Sequence, residues 1–389
     1  MGQLQQEQFC GARGQRAPRS NGAPRLEMHN LAFLCMIMYV AEVTSVGIIG
    51  ASGFTGAELL RLIAAHPDFE LVFATGDSQA GVAIADLYPS LAAAYGGIEF
   101  AAYEDSLLDD VDLVFCGLPH GASQALMPTL VQKVKWVVDL AADFRLQDAS
   151  LYPQWYGESH PCPELLPQFA YGLPELYRSH IAAASAVAVP GCYPTCTTLA
   201  IAPLVVNGLV HLDGIVVNAA SGVSGAGRPP KPNTTFCTVD EDFTAYGLLN
   251  HRHTPEIEQN IAALDPSASS SVSVLFTPHL APMNRGMLAT CYLRPTGSKN
   301  TAQLLEIYEE FYADEQFVVV TEGSPSTKAC LSSNTAHVTV RADERTGHIV
   351  AIGAIDNLTK GASGQAVQCA NILAGLPEAT GLSSIGVYP

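Results

Sequence analysis

Ser45-Val46-Gly47-Ile48-Ile49-Gly50, Ala51-Ser52-Gly53-Phe54-Thr55-Gly56 and Ala57-Glu58-Leu59-Leu60-Arg61-Leu62-Ile63 follow one another with three different textures. The first is a short apolar run of the kind found in fully buried strands, and the third has apolar residues at helical spacing. Between them the glycines stand three apart. A G-x-x-G-x-x-G spacing between strand and helix lets a pyrophosphate approach the backbone, and the start of the helix offers it unpaired N–H groups. Gly50, Ser52, Gly53, Phe54, Thr55 and Gly56 are therefore the candidate dinucleotide turn.

Working outward, a second strand over Glu70–Thr75 ends in Gly76-Asp77-Ser78, where an adenosine ribose belongs in such a unit. An acidic residue there suits the 2′-hydroxyl of NAD, whereas NADP needs a site for its phosphate, so Asp77 and Ser78 pull in opposite directions. Strands over Leu113–Cys116 and Trp136–Leu140 alternate with a helical stretch over Ser123–Val131. That alternation predicts an α/β fold, a Rossmann-like, doubly wound parallel sheet. Ligands of such sheets bind at the carboxyl ends of the strands, which adds Leu118 and Pro119 to the candidate cofactor site. His120 beside them reads as a loop or core histidine.

Val189-Pro190-Gly191-Cys192-Tyr193-Pro194-Thr195 places a thiol where a strand, Ala186–Val189, turns into an apolar helix from about Thr195 to Val206. A cysteine at a helix N-terminus faces the positive end of the helix dipole, which favours the nucleophilic thiolate. Cys196, one turn on, is a conceivable redox partner, but neighbours at i and i+4 are not preset for a disulfide. His251-Arg252-His253-Thr254-Pro255-Glu256-Ile257 reads as the start of a second helix, with Thr254 as N-cap and Pro255 at its first position. Histidines at i and i+2 do not share a helical face, so one catalytic base beside an anion-binding arginine is expected rather than a metal pair. Ser221 to Arg228 is a loop of glycine N–H groups with a cation at its end, suited to anions.

The remaining strands, over Ser271–Thr277, Gly286–Arg294, Phe317–Val320, His337–Arg341 and His348–Ala354, predict a second, α+β domain on a mostly antiparallel sheet. The domain boundaries expected are a dinucleotide-binding domain over 41–190, completed by a C-terminal helical segment over 358–389, and a catalytic and oligomerisation domain over 191–357. Residues 1–40, with Arg13, Arg16, Arg19 and Arg25 ahead of a short apolar run, are expected to be a disordered extension. With 389 residues, 48% hydrophobic and 14% charged, the chain can bury two sizeable cores. Its net charge of -18 argues against nucleic-acid or anionic-membrane partners. Ten cysteines without a CxxC pair or zinc spacing fit a reduced cytoplasmic compartment and no metal.

Taken jointly, Gly50 to Glu58, Leu118-Pro119-His120-Gly121, Pro190 to Thr195, Ser221 to Arg228, His251 to Ile257 and Thr277-Pro278-His279-Leu280 resemble the N-acetyl-gamma-glutamyl-phosphate reductase family, from about Thr44 to Leu376. The resemblance implies NADPH-dependent reduction of N-acetyl-L-glutamyl 5-phosphate to the 5-semialdehyde through a cysteine thioester, in arginine biosynthesis, by a homo-oligomer, a dimer or tetramer. It assigns Cys192 as nucleophile, His253 as acid/base, the glycine turn and Asn357 to the cofactor, and Ser224, Arg228 and Arg252 to substrate anions. Ser78 stands near the expected 2′-phosphate. Two alternatives remain open at this point: a related aspartate-semialdehyde or amino-adipyl acyl-phosphate reductase, and a nicotinamide-binding redox sensor that uses Cys192 as a switch.

Overall fold

The computed structural model describes residues 43–265, 267 and 271–389. The expected extension over 1–40 lies outside the described residues.

Six strands form the first sheet: β1 (Thr44–Ile49), β2 (Phe69–Ala74), β3 (Leu113–Cys116), β4 (Trp136–Asp139), β5 (Phe169–Tyr171) and β6 (Ala186–Ala188). They lie in the order β2-β1-β3-β4-β6-β5, and every pairing is parallel. The Rossmann-like sheet expected from the apolar runs is present. Its interior strands β3 and β6 are buried throughout, as strands covered on both faces must be. The edge strand β5 has only three residues, too short to register as a periodic signal.

The order reverses between β1 and β3, and the glycine turn sits at that point. Gly50 takes a left-handed φ of 82°, and a Cβ there would fall 2.7 Å from the Gly117 carbonyl oxygen, so only glycine lets the ends of β1 and β3 close together. At Gly56 a Cβ would collide with the Ala51 backbone, so this glycine lets the helix Phe54–Ala64 pack tightly against the strand end.

The second sheet contains β7 (Ile215–Gly222), β8 (Thr244–Ala245), β9 (Val274–Ala281), β10 (Met287–Leu293), β11 (Val318–Val320), β12 (Ala336–Asp343) and β13 (His348–Ile355). The order is β11-β12-β13-β10-β7-β9-β8, with β7–β9 and β11–β12 parallel and the other pairings antiparallel. One face packs on the helices Cys192–Val206, His253–Leu264 and Thr301–Phe311, burying Val217, Phe276, Ala289 and Val338. Its opposite face carries Leu275, Tyr292 and, at the rim, Phe243, which are 49%, 39% and 59% exposed.

The helix Cys192–Val206 is buried from Tyr193 to Val205. Its sequence is apolar around the whole circumference, which is what an internal helix requires. The helix Gly364–Leu373 returns to the first sheet, where Ala366, Val367, Ala370 and Leu373 join Val46, Leu59 and Leu60 in one core. No described helix is long and apolar enough to cross a membrane.

Candidate active site

The site begins with the turn after β6. The helix starts three residues earlier than the apolar pattern suggested: Gly191 is its N-cap and Cys192 its first residue, half-buried. The Gly191 N–H donates to Glu256 Oε1 at 2.9 Å, and the Tyr171 hydroxyl donates to the same oxygen at 2.8 Å. Asn260 Nδ2 donates to the Tyr171 oxygen at 2.7 Å. Glu256 and Asn260 both project from the helix His253–Leu264 onto the cysteine turn.

His253 comes from the first residue of that helix, three before Glu256, so the two share a face. Thr254 is not the N-cap: that place belongs to Arg252, which makes no side-chain cap bond, and the His253 N–H donates instead to His251 Nδ1 at 3.1 Å. An imidazole acceptor thus replaces the expected hydroxyl. His251 itself packs edge-on against Tyr193, Tyr246 and Phe276.

The His253 ring lies over Gly191, where any side chain would overlap Nε2. Arg145 Nη1 is 3.5 Å from Nε2. Because a guanidinium only donates, Nε2 is assigned here as the acceptor, with the ring proton on Nδ1. Burial, reinforced by the charges of Arg145 and Arg252, holds the His253 pKa well below the usual histidine value, so the ring is neutral.

Burial pushes the Cys192 thiol up to about 11, outweighing the nearby Arg145 charge and the helix N–H groups that favour the thiolate. This corrects the expectation from the helix terminus alone: desolvation outweighs the dipole, so Cys192 rests as a thiol and the His253 ring over the preceding residue rests neutral. A base is therefore needed, and His253 is in the state to serve as one.

Arg145 and Glu256 were not singled out from the sequence. Arg145 follows β4 at the carboxyl edge of the sheet, is 7% exposed, and donates through Nη2 to the Leu140 carbonyl at 2.7 Å. Its Nη1 lies 3.6 Å from Glu256 Oε2, and its Nε has no partner. The position at a strand end was a usable signal for Arg145, and the His253/Glu256 spacing was one for Glu256.

The other candidates fall into groups. Gly53 is the N-cap of the first helix and makes no side-chain cap bond, and a Cβ on it would meet only the Gly50 carbonyl oxygen, at 3.7 Å, so the first-turn N–H groups are open to a phosphate. Phe54 and Thr55 begin that helix, and Leu118 and Pro119 flank the same turn, half-buried and exposed. These residues fit a nicotinamide dinucleotide. Ser52 Oγ donates to the Gly76 carbonyl at 3.1 Å, while Asp77 and Ser78 are exposed. Asn357 Nδ2 donates to Ser224 Oγ at 3.0 Å.

Arg252 is exposed over the Tyr156 ring, 5.5 Å from its centroid. Arg228 is half-buried, forms no ion pair among the described residues, and its charge acts on Tyr88, whose hydroxyl donates to the Ser52 carbonyl at 2.7 Å. It therefore faces the glycine-turn side of the site. His120 is paired with the buried Asp143, a structural place. Among the described residues no group of His, Cys, Asp and Glu side chains forms a metal site.

Known proteins share these features. The semialdehyde dehydrogenase NAD-binding domain matches residues 45–184, and the semialdehyde dehydrogenase dimerisation domain matches residues 192–357. The chain is 46% identical over 351 residues to N-acetyl-gamma-glutamyl-phosphate reductase of Acetivibrio thermocellus, covering 89% of this chain and 100% of the relative. It is 47% identical over 348 residues to the enzyme of that name from Symbiobacterium thermophilum, covering 88% and 99%. Among solved structures, aspartate semialdehyde dehydrogenase II of Vibrio cholerae superposes with a TM-score of 0.64 at 17% identity, over 85% of this chain and 98% of that one. The NADP complex of aspartate semialdehyde dehydrogenase from Candida albicans gives 0.63 at 16%, over 85% and 98%. At that identity the two structures speak for the shared fold, while the sequence relatives decide the family: the chain belongs to the N-acetyl-gamma-glutamyl-phosphate reductases among the semialdehyde dehydrogenases.

Proposed function

We propose that the protein reduces N-acetyl-L-glutamyl 5-phosphate to N-acetyl-L-glutamate 5-semialdehyde with NADPH and releases phosphate, a cytoplasmic step of arginine biosynthesis. The observation that carries this reading is the packing of the neutral His253 ring onto the cysteine turn, beside a buried Arg145 with an unpartnered Nε. A nucleophile that starts as a thiol needs an adjacent base, and an acyl phosphate brings an anion that needs a cation.

As the Cys192 sulfur closes on the acyl carbon, its proton passes to His253 Nε2. The carbon–oxygen bond to phosphate breaks with its electron pair, and Arg145 takes the departing anion. A thioester remains on Cys192. Bound NADPH supplies the hydride that reduces it. The backbone N–H groups at the start of the cysteine helix stabilise the resulting oxyanion. His253 then gives that oxyanion its proton and takes it back as the carbon–sulfur bond breaks, a relay typically worth ~10²–10⁴-fold.

Of the remaining cations, Arg252 suits the substrate's carboxylate. Arg228, beside Tyr88 and Ser52, suits a phosphate of the dinucleotide instead of the substrate assigned to it by resemblance. The open face of the second sheet, with Leu275 and Tyr292 outward, suits a second copy of the chain.

The test is phosphate-dependent reduction of NADP by the purified protein with N-acetyl-L-glutamate 5-semialdehyde. Activity with that aldehyde and little with aspartate semialdehyde is expected. The reverse preference would overturn the substrate assignment, and no turnover with either would leave the redox-sensor reading in its place.

A further inference from the structure

Between β13 and the last helix, the segment Asp356–Gly361 crosses behind the cysteine. It is wound into a π-turn over Thr359–Ser363, a rare geometry that needs outside support. A Cβ on Gly361 would come within 2.8 Å of the Cys192 Cβ, so this backbone forms the wall against which the nucleophile rests.

Lys360, within the turn, is held from one side by the buried Glu175 and by Gln368; the support on the side of the nucleotide helix comes from one arginine. Arg285, in the turn between β9 and β10, donates Nη1 and Nη2 to the two oxygens of Glu58, each at 3.1 Å. Its Nε lies 2.9 Å from Asp356 Oδ2, and its Nη2 also donates to Thr359 Oγ1 at 2.8 Å. Glu58 and Asp356 are 5% and 0% exposed. Asp356 Oδ1 accepts from the N–H groups of Leu358 and Thr359, which shapes the start of the turn. The next residue along, Gly286, donates its N–H to Asn357 Oδ1 at 2.7 Å.

Glu58 lies one turn into the helix that opens at the glycine turn. A second tie runs the same way: Ser363 Oγ donates to the Thr55 carbonyl at 2.8 Å. The two sites, dinucleotide turn and cysteine wall, are thus joined through a planar, two-toothed guanidinium, a geometry an ammonium group cannot reproduce.

We infer that Arg285 is a positioning residue, which fixes the wall behind Cys192 relative to the nucleotide helix and so sets the register between the bound cofactor and the sulfur. This rests on the dehydrogenase reading above. A pure stability role would make the same network a staple between two sheets, with no effect on the thiol.

The test uses Arg285→Lys, which keeps the charge and loses the fork, with Arg61→Ala as a control, since Arg61 also pairs with Glu58 but does not reach the segment. In the cofactor-free protein, Arg285→Lys is expected to speed alkylation of Cys192 by iodoacetamide at least threefold, because the wall behind the thiol loosens. With substrates, kcat falls by about 10–100-fold, the scale of a small misplacement of reacting groups, while the Kd for NADP by calorimetry stays within threefold. Glu58→Gln, should the lysine variant fold poorly, shifts both readouts in the same direction. Unchanged alkylation and kcat with only a lower Tm would overturn the proposal, as would equal effects from Arg61→Ala. The alkylation arm decides the matter even if the substrate assignment fails.

Discussion

The imidazole of His253 occupies the space that a side chain on Gly191 would fill, so the residue before Cys192 must be glycine for the ring to lie where it does. Gly191→Ala is therefore expected to push the ring aside without disturbing the fold, since Gly191 has an ordinary extended backbone that alanine adopts. Its kcat should drop by ~10²-fold. Steady-state kinetics beside a melting curve checks this, and an alanine variant with normal kcat would show that the ring does not act from that position.

The half-buried thiol makes a pH prediction. With the Cys192 pKa raised to about 11 and His253 neutral, the fraction of anion in the free protein grows about tenfold per pH unit below that value. Alkylation by iodoacetamide should climb steadily from pH 7 to pH 9, with no plateau at acid pH of the kind an ion pair gives. Cys192→Ser should abolish turnover and keep NADP binding.

Arg145→Met should lower kcat/KM for the acyl phosphate by ~10²–10³-fold, the cost of losing a charge that stabilises the departing anion. The Kd for NADP should stay unchanged. A drop confined to cofactor binding would move Arg145 out of the reaction.

Arg228→Gln addresses cofactor choice. With Asp77 and Ser78 exposed and no cation in the strand end after β2, the proposed reading gives the dinucleotide the charge of Arg228, which acts on Tyr88. The KM for NADPH should rise about tenfold or more, the scale of a lost charge-assisted hydrogen bond, while the KM for the acyl phosphate holds. A change in the acyl-phosphate KM alone would return Arg228 to the substrate.

Glu58 gives a stability prediction. Burial alone would raise its pKa, but hydrogen bonds and charge from Arg61 and Arg285 pull it down to about 2. A depressed carboxyl stabilises the fold above its unfolded pKa and loses that contribution as pH falls through the folded one. The Tm gap between the protein and Glu58→Gln should be full at pH 6 and should close as pH falls from about 4.5 to about 2.

Much of this was legible in the sequence because it is written locally. The strand–turn–helix at Ser45–Ile63 and the cysteine turn both announce themselves by contiguous texture, and so does the parallel sheet they belong to. Arg145 and Glu256 carried only a faint local signal, a strand end and a three-residue spacing, and Arg285 carried none, because the partners that give them meaning lie far along the chain: Gly191 for Glu256, and Glu58 and Asp356 for Arg285. The thiol's state was misjudged for a similar reason. A helix start is visible in a heptad of residues, but the burial that outweighs it comes from elements far along the chain, among them the segment at Gly361, more than a hundred and sixty residues downstream, which packs against Cys192.

The helix behind Cys192 is enclosed from Tyr193 to Val205. A rod clasped along its length can neither slide nor tilt without breaking the core. On the proposed mechanism the sulfur is then a fixed point, and the give that admits a substrate and lets a product out has to come from exposed residues such as Arg252 and not from the helix that carries Cys192.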